Sequence, residues 1–458
     1  MNVFHDEPRY VAYTCLFEVF ENQAYSNLVL KQELKTRSFP AQEKAFITAL
    51  FYGTIARCYT LDAVLDRYLK KPIAQLDGKV RTCLRMGAWQ VLFSFGVKEY
   101  AAVDSMVELT KEVSHAGSAG LVNAVLRKVA KEGKDYLNIL NPKNVAVRYS
   151  LKSEIAGCFV KWFGLSKATA ILEAFLADPQ VTLRRNTFGC PSEDEFLALA
   201  AEDHVSLAKE PVLPYAYRIG SDVSDISELK IYKDGACSVQ SLSAMLVAQI
   251  ADPKSGMTVL DTCSAPGGKT AHMAELMKNE GHIDALDANG VRLLMVDETA
   301  QRLGISIIHT MPYDCTYLKE EKEKLLSEYD LVLCDVPCSG LGLLHRKPDI
   351  RLSMTYEKMQ SLIEVQREIL ENSCLRVKKG GTLVYSTCTI DPAENEDQIR
   401  AFLENHPEFE RMPFETLLSD TLLSNPRILE EAKNGYMTLL PDEGPFDGFF
   451  MAKLRRKE

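Results

Sequence analysis

The first part of the chain, residues 1–138, repeats apolar residues with the period of an α-helix. Apolar side chains recur at i, i+3, i+4 and i+7 in the segments PRYVAYTCLFEVFE, QEKAFITALFYGTIARCYTLDAVLDRYL, KVRTCLRMGAWQVLFSF and AGLVNAVLRKVAKEG. Short polar or Gly/Pro breaks such as KKPIAQLDG separate these segments. The pattern therefore predicts an all-α domain over residues 1–138.

The middle of the chain, residues 139–235, is less regular. Residues 150–180 again show helical periodicity, and a mixed stretch that opens with VTLRRNTF follows them. This stretch is rich in Pro and Gly, which favours short elements joined by turns. We predict linker helices and a small α+β subdomain here.

From residue 256 onward, short apolar runs alternate with amphipathic segments. The predicted strands are MTVLDTC, HIDALDAN, ISIIHTM, DLVLCDVP and GTLVYSTCT. The predicted helices between them are KTAHMAELMK, VRLLMVDETAQRLG, KEEKEKLLSEY, residues 357–376 and a segment that starts near 394. YMTLLP and DGFFMAKLRR predict a closing antiparallel pair. Repeated βα units imply a doubly wound, mostly parallel sheet, so we predict a Rossmann-like α/β domain over residues 236–458.

Composition and charge refine this picture. The 458 residues are 25% charged and 46% hydrophobic, as in soluble globular proteins, and we expect a cytoplasmic protein that does not contact a membrane. The twelve cysteines include no C-x-x-C pair, so we expect no metal site. Residues 1–150 hold 20 Lys and Arg against 15 Asp and Glu, although the whole chain has a net charge of −10. This basic balance fits either an RNA-binding surface or a solvated helical surface.

The loop after the first predicted strand of the α/β domain contains CSAPGGKT, which ends like a phosphate-binding P-loop. Cys263 stands where the first P-loop glycine should be, so the motif does not match a triphosphate site. A glycine pair at a strand-to-helix turn nevertheless lets the backbone approach a ligand closely. The loop is therefore a candidate binding site for another ligand.

Acidic residues follow or end four of the predicted strands: Asp261, Asp287, Asp314 and Asp335. Asp287 lies about 20 residues beyond the glycine turn, where a carboxylate typically binds ribose hydroxyls. Any one of these residues can instead cap a helix. Four carboxylates at one edge repel phosphates but suit a ligand with a ribose, an amine and a positive sulfonium group. We therefore predict S-adenosylmethionine as the cofactor.

Two further loops at strand ends each carry a cysteine, Cys338 in DVPCSGLG and Cys388 in STCT. A thiolate that adds to carbon 6 of a pyrimidine makes carbon 5 nucleophilic enough to be methylated. The addition shifts negative charge to ring nitrogen 3, where Asp335 is well placed to share a proton. A second thiol suits removal of the proton from carbon 5, and the residues alone leave open which thiol attacks.

These motifs carry a family resemblance. CSAPGGKT, DVPCSGLG, HRKPDIRL, STCTIDPAENE and DGFFMAKL resemble the NOL1/NOP2/Sun family of RNA 5-methylcytosine methyltransferases. YGTIARCYTLDAVLDRYL and GLVNAVLRKV resemble the RNA-binding helical domain of the antitermination factor NusB. Together they imply a class I methyltransferase domain preceded by an all-α NusB-like domain, as in bacterial members that modify 16S ribosomal RNA of the small subunit.

The resemblance also implies roles for individual residues. Cys388 maps onto the nucleophile, Cys338 onto the thiol that assists product release, and Asp335 keeps its contact with cytosine N3. Lys269 is implied to lie near both the cofactor and the ring. The implied cofactor-binding residues are Cys263, Ser264, Ala265, Pro266, Gly267, Gly268, Lys269, Asp287, Asp314 and Asp335.

Some positions depart from the family pattern or remain ambiguous. Ser241 replaces the usual Asp before the first core helix, and we expect it to cap that helix instead. The segment of Arg184, Arg185 and Asn186 fits either RNA backbone contact or packing of the α+β insert. Arg346 and Lys347 fit either a phosphate contact or a solvated basic pair.

The target base must be unstacked to reach two thiols, so single-stranded or loop RNA is the expected substrate of a monomeric enzyme. Three alternatives remain at this stage. The enzyme can act on transfer RNA, the chain can be a non-catalytic RNA-binding or ribosome assembly factor, or Cys388 and His345 can form a hydrolase site. The presence of both Cys338 and Cys388 argues against a non-catalytic factor. A hydrolase site would leave the four carboxylates at the strand ends unexplained.

Overall fold

The computed structural model describes residues 6–458 except 95, 140–143, 191, 221–222, 224 and 318–324. The chain divides into two compact units. The helical unit comprises Met1–Ala177 and Leu344–Tyr356, and the sheet-containing unit comprises Asp178–Leu343 and Glu357–Glu458.

The helices and strands of the described residues follow in chain order. The α-helices are α1 (Glu7–Asn22), α2 (Ser26–Thr36), α3 (Ala41–Ala56), α4 (Cys58–Asp66), α5 (Gly78–Phe93), α6 (Glu99–Val113), α7 (Ala116–Asn138), α8 (Val145–Arg148), α9 (Ser153–Ala174), α10 (Glu193–Glu202), α11 (Lys230–Lys233), α12 (Leu242–Ala251), α13 (Gly268–Leu276), α14 (Gly290–Leu303), α15 (Ile350–Ser353), α16 (Tyr356–Ser373), α17 (Glu396–Asn405), α18 (Asp420–Leu423) and α19 (Pro426–Lys433). The strands are β1 (Thr182–Arg185), β2 (Leu207–Lys209), β3 (Ala216–Ile219), β4 (Cys237–Val239), β5 (Thr258–Asp261), β6 (His282–Asp287), β7 (Ile308–Pro312), β8 (Tyr329–Asp335), β9 (Val377–Thr387), β10 (Phe409–Arg411), β11 (Tyr436–Leu439) and β12 (Phe449–Arg456).

The helical unit buries the apolar stripes that the sequence periodicity predicted. Its core joins side chains of α1, α3, α5 and α7, among them Leu16, Phe51 and Leu84. Side-chain caps begin several of these helices, such as Asp6 on α1 and Asp77 on α5. The prediction of an all-α fold for this part of the chain is confirmed.

The segment Leu344–Tyr356 packs with the helical unit although it lies inside the α/β half of the sequence. Buried Arg351 donates from Nη1 to the carbonyl oxygen of Tyr149 at 2.6 Å. Lys152 donates to the carbonyl oxygen of Met354 at 2.8 Å, and the ring of His345 stacks on Phe175 at 5.4 Å. This segment contains HRKPDIRL, so part of a predicted methyltransferase motif belongs structurally to the helices.

Helix α9 is the one described helix whose length and apolar composition would allow it to cross a membrane. Gly164 interrupts it with φ 72° and ψ 162°, which divides it into two shorter helical segments. Neither segment approaches the roughly 20 residues needed to span a bilayer. Ile155, Phe159, Ile171 and Leu172 of this helix are buried within the protein.

The sheet-containing unit begins with the predicted small subdomain. Its sheet has the strand order β2-β3-β1-β4, and all of its pairs are antiparallel. The larger sheet has the order β10-β12-β9-β8-β5-β6-β7, with β11 paired to β12. Strands β5 to β9 pair in parallel, whereas β10, β11 and β12 are antiparallel. The predicted Rossmann-like sheet and its closing β11–β12 pair are confirmed.

The strand order also locates a crevice. The chain runs from β5 outward to β6 and β7, then returns to β8 on the other side of β5. Ligands of doubly wound sheets bind where the order reverses in this way, outside the carboxyl ends of the strands. The loops after β5 and β8 meet at this point.

Some elements differ from the sequence predictions. The predicted helix KEEKEKLLSEY lies mostly outside the described residues, and its described part, 325–328, is not helical. Tyr329, at its end, is fully buried and begins β8, so burial in the sheet overrides the helical composition. Strand β10 and helices α18 and α19 were not predicted. The predicted domain boundaries at 138 and 235 stay a prediction.

Arg184 joins the small subdomain to the larger sheet's first helix. Its guanidinium forms a bidentate ion pair with Glu275 of α13, at 2.8 and 3.0 Å, and neither side chain is more than 1% exposed. The remaining nitrogen donates to the carbonyl oxygen of Gly268 at 3.0 Å and to Gln240. The structure therefore assigns Arg184 to packing, and the alternative of RNA contact by this residue is wrong.

Replacing Arg184 with Met should lower the free energy of unfolding by about 3–5 kcal/mol, because the substitution leaves the Glu275 carboxylate buried without its partner. Urea denaturation followed by circular dichroism measures the change. Arg400→Met is the matched control, because Arg400 and Asp397 are 62% and 47% exposed and such pairs contribute about 0–1 kcal/mol. Equal effects of the two substitutions would contradict the assignment.

Candidate active site

The turn between β5 and α13 forms the first wall of the candidate site. Gly267 has φ +100°, a conformation open to glycine, and a Cβ there would lie 3.0 Å from the Cα of Val296. The Oδ1 atom of Asp261 and the Oγ atom of Ser264 are buried with no hydrogen-bond partner among the described residues. Burial raises the pKa of Asp261 to about 7. Buried polar atoms of this kind need a hydrogen-bond partner, which a ligand or solvent can provide.

The second and third walls are formed after β6 and β7. Asp287 ends β6, is buried, and accepts a hydrogen bond from the amide of Asn289 at 2.9 Å. Its other oxygen lies 3.4 Å from Nη1 of Arg292. Asp314 follows β7, is exposed, and accepts hydrogen bonds from the amide and hydroxyl of Thr316 at 3.0 and 2.7 Å. Both carboxylates lie at strand ends as predicted, and Asp314 also caps the turn that follows it.

The fourth wall carries a partly buried ion pair that the sequence did not reveal. Nζ of Lys269, in the first turn of α13, lies 2.6 Å from Oδ2 of Asp335 at the end of β8. Oδ1 of Asp335 accepts a hydrogen bond from Ser386 of β9 at 2.7 Å. Burial works against the charge of Lys269, but the carboxylate of Asp335 outweighs it and raises the pKa of Lys269. Nζ also lies 5.2 Å from the centre of the Phe449 ring, in a cation–π contact.

The two predicted reactive thiols are in contact. Sγ of Cys338 lies 3.3 Å from Sγ of Cys388, although 50 positions separate them in the chain. Both cysteines are half-buried, and the amide of Gly342 donates to the carbonyl oxygen of Cys388 at 3.1 Å. The hydrogen bond with Cys388, together with burial, raises the pKa of Cys338. The pair can therefore hold one proton between two sulfur atoms.

Cys263, the third cysteine of the predicted loops, lies apart from this chemistry. Burial raises the pKa of its thiol, and the neighbouring thiols of Cys315 and Cys334 raise it further. A thiol in such apolar surroundings is unreactive. The place of Cys263 among the cofactor-binding residues stays a prediction.

The residues around the small subdomain are structural. The Oγ atom of Ser241 caps α12 by accepting from the amide of Ala244 at 3.4 Å, which confirms the predicted cap. Arg185 donates to the carbonyl oxygen of Cys190 at 2.7 Å. Buried Asn186 donates to the carbonyl oxygens of Gly235 and Leu303 at 3.0 and 3.2 Å. These contacts favour packing over RNA contact for this segment.

Arg346 and Lys347 lie with the helical unit, in the segment Leu344–Tyr356. Lys347 is exposed and Arg346 half-buried. Their possible contact with phosphate stays a prediction. His345, in the same segment, packs its ring on Phe175, so the hydrolase alternative gains no support.

Sequence reasoning missed Glu394, a fully buried carboxylate beside the thiol loops. Its Oε2 atom accepts hydrogen bonds from the amide of Ser339 and from Gln366, each at 2.8 Å. The segment DPAENE is rich in charged residues and has the composition of an exposed loop. The one available signal is the position of Glu394, six residues after Cys388 within a motif already quoted for its family likeness.

Comparison with known proteins decides the family. The profile of the 16S rRNA methyltransferase RsmB/F family matches residues 248–455, and that of the NusB family matches residues 6–131. A probable ribosomal RNA small subunit methyltransferase B from Bacillus subtilis is 34% identical over 98% of both chains. The chain belongs to the RsmB/F family of rRNA methyltransferases.

Other relatives agree with this assignment. A protein of the same name from Synechocystis is 33% identical over 98% of this chain and 99% of its own. The crystal structure of the protein PH0851 superposes with a TM-score of 0.81, at 25% identity, and covers 98% of this chain and 99% of its own. Membership confirms the predictions of rRNA methyltransferase activity, a NusB-like helical domain and S-adenosylmethionine as the cofactor.

The residues present fit this cofactor. The close approach at Gly267 excludes a side chain, and the unpartnered oxygens of Asp261 and Ser264 are available to polar groups of a ligand. We expect Asp287 to hold the ribose hydroxyls. When bound, S-adenosylmethionine supplies an electrophilic methyl group.

Replacing Gly267 with Ala should weaken the binding of S-adenosylmethionine by about tenfold or more. An alanine there is strained by about 1–2 kcal/mol and lies against Val296 at the wall of the loop. Isothermal titration calorimetry measures the affinity. Gly304→Ala is the matched control, because Gly304 also has a positive φ of 70°, but an alanine Cβ there would have no atom of the described residues within 4 Å. Unchanged affinity in Gly267→Ala would contradict this account of the loop.

Proposed function

We propose that this protein methylates carbon 5 of a specific cytosine in 16S ribosomal RNA through a covalent adduct between Cys388 and the base. The observation that carries the proposal is the contact between Cys338 and Cys388 at the carboxyl edge of the sheet. A binding or assembly factor has no use for two thiols in contact beside a cofactor loop. The names of the relatives favour small-subunit rRNA over transfer RNA.

The first step is addition of the Cys388 thiolate to carbon 6 of the cytosine. A bond forms between Sγ and carbon 6, and the electrons of the ring double bond move toward nitrogen 3. Asp335 contacts nitrogen 3 in this proposal. As negative charge develops there, a proton passes from the ammonium group of Lys269 through Asp335 to nitrogen 3, and it returns by the same route once carbon 5 is methylated. The adduct is an enamine, whose carbon 5 is nucleophilic enough to accept a methyl group.

The last step releases the product. Cys338, as a thiolate, takes the proton from carbon 5, and the electrons of that C–H bond restore the ring double bond. The bond between carbon 6 and Sγ of Cys388 breaks, which regenerates the thiolate. The 3.3 Å between the sulfurs supports a second thiol within reach of the same ring.

The substrate is expected to be an unpaired or flipped cytosine, because a stacked base cannot reach the thiols. The NusB-like unit is the proposed RNA-binding partner of the catalytic unit, consistent with the basic balance of residues 1–150. We further propose that the enzyme acts as a monomer in the cytoplasm, where bacterial ribosomal RNA is found.

Radiolabelled S-adenosylmethionine and 16S rRNA test the two thiol roles. Cys388→Ala should abolish methyl transfer, because no adduct forms. Cys338→Ala should accumulate a protein–RNA adduct that survives denaturing electrophoresis, because the proton on carbon 5 is not removed. Nucleoside mass spectrometry of the wild-type product should show 5-methylcytidine.

Cys374→Ala is the matched control, because Cys374 is a buried thiol outside the site. It should retain the activity of the wild type. An adduct in Cys388→Ala would reverse the two roles. Full activity in both Cys338→Ala and Cys388→Ala would rule out the covalent mechanism.

A further inference from the structure

Glu394 anchors the chain on both sides of Cys338. Its Oε2 atom accepts the amide hydrogen of Ser339, the residue after Cys338, at 2.8 Å. Gln366 donates to the same oxygen at 2.8 Å and to the carbonyl oxygen of Pro337, the residue before Cys338, at 3.0 Å. All three contacts are buried or partly buried, so the Cys338 loop depends on this carboxylate for its position.

The same segment also holds the chain on both sides of Cys388. The hydroxyl of Ser339 lies 2.8 Å from the hydroxyl of Thr389, which joins the two thiol loops directly. Asn395, next to Glu394, donates to the carbonyl oxygen of Thr389 at 3.1 Å and accepts from the hydroxyl of Thr387 at 2.6 Å. The 3.3 Å contact between the thiols is therefore maintained by a buried hydrogen-bond network.

Two charges of opposite sign act on this thiol pair, one on buried Glu394 and one on partly buried Lys269. The carboxylate of Glu394 contributes to the raised pKa of Cys338, after the hydrogen bond with Cys388 and burial. On the other side, burial disfavours the charge of Lys269, but Asp335 and, less strongly, a Cys388 thiolate raise the pKa of Lys269. The attraction is mutual, so the ammonium group of Lys269 favours a negative Cys388. Among the described residues, Tyr385 also interacts electrostatically with Cys338, and Asp335 is paired with Lys269.

We propose that Glu394 is a positioning residue that sets the polarity of the Cys338–Cys388 pair. Its carboxylate, anchored on the amide of Ser339, keeps the shared proton on Cys338 and leaves the negative charge on Cys388. The resting enzyme then holds Cys388 as the nucleophile and Cys338 as a neutral thiol that donates to it. This inference rests on the proposed covalent mechanism, because that mechanism requires the two thiols to differ in charge.

The polarity also has a consequence for the order of events. Cys338 can act as a base only after it loses its proton to solvent, and the negative charge of Cys388 is consumed when its bond to the ring forms. Removal of that negative charge lowers the cost of ionising Cys338. Formation of the adduct thereby favours the thiolate form of Cys338, which removes the proton from carbon 5.

Alkylation of the two thiols in the absence of RNA tests the polarity. The protein is treated briefly with iodoacetamide over a pH series, and the carbamidomethyl group on each cysteine is quantified by mass spectrometry. In the wild type, Cys388 should react about tenfold faster than Cys338 near neutral pH, because the thiolate is the reactive form and one pKa unit changes its fraction about tenfold. Glu394→Gln should reduce this preference about tenfold, and the pH at which Cys338 becomes reactive should fall.

Glutamine suits this test because its amide oxygen can still accept from Ser339 while its charge is lost. Glu396→Gln is the matched control: Glu396 is a neighbouring, half-buried carboxylate that accepts from the hydroxyl of Thr438 at 3.0 Å. Glu396→Gln should leave the ratio of the two alkylation rates unchanged. If Glu394→Gln disturbed only the structure of the loop, the alkylation rates of both thiols would change. The pH at which each thiol becomes reactive would then stay the same. An unchanged ratio in folded Glu394→Gln would overturn the proposal.

Single-thiol variants keep the proposal testable if Glu394→Gln does not fold. The pH midpoint for alkylation of Cys388 in Cys338→Ala should be lower than that of Cys338 in Cys388→Ala. The reverse order would overturn the inference. Neither measurement uses RNA or methyl transfer, so a failure here is distinct from a failure of the proposed methylation.

Discussion

The active site depends on the partly buried ion pair between Lys269 and Asp335. Lys269 follows the glycine turn that forms the cofactor loop, and Asp335 ends the strand that leads to Cys338. The second oxygen of Asp335 accepts from Ser386, two residues before Cys388. One carboxylate therefore joins the three strand ends that carry the cofactor loop and both thiols. Because the loss of either partner would leave the other charge partly buried without compensation, the pair favours a single arrangement of these three loops.

The sheet makes this arrangement possible. The order of β8, β5 and β6 brings the loops after the strands to one edge, and the reversal at β5 opens the crevice between them. Behind this edge, the Arg184–Glu275 ion pair ties the small subdomain to α13, the helix that begins at the cofactor loop. This second ion pair, which is fully buried, supports the first through the same helix. Both ion pairs therefore hold the helix that begins at the cofactor loop.

The thiol pair shows how surrounding charge turns two identical side chains into different reagents. An ammonium group lies toward Cys388 and a carboxylate is anchored beside Cys338. In a low-dielectric site such charges act strongly over short distances. The same sheet edge therefore supplies both the geometry that brings the sulfurs together and the field that distinguishes them.

Much of this could be predicted from the chain alone. Helical periodicity identified the first domain, and alternating strands and helices identified the parallel sheet, because burial of apolar faces imposes those periods. The glycine turn, the strand-end carboxylates and the two cysteines could be placed at one edge, since parallel strands end on the same side. The segment Leu344–Tyr356 could not be assigned to the helical unit, because its polar sequence carries no periodic signal. The burial of Glu394 was not recognised, and Arg184 stayed undecided between RNA contact and packing, because charged residues are buried only where a distant partner compensates them.

The sequence by itself thus determined the kinds of groups at the site and the strand ends on which they lie. Only the tertiary structure decided their partners and charges: Lys269 with Asp335, Arg184 with Glu275, and Cys338 with Cys388. These partners are 50 to 91 positions apart along the chain. Ionisation depends on burial and on distances of a few ångströms, which are properties of the folded chain rather than of any local segment.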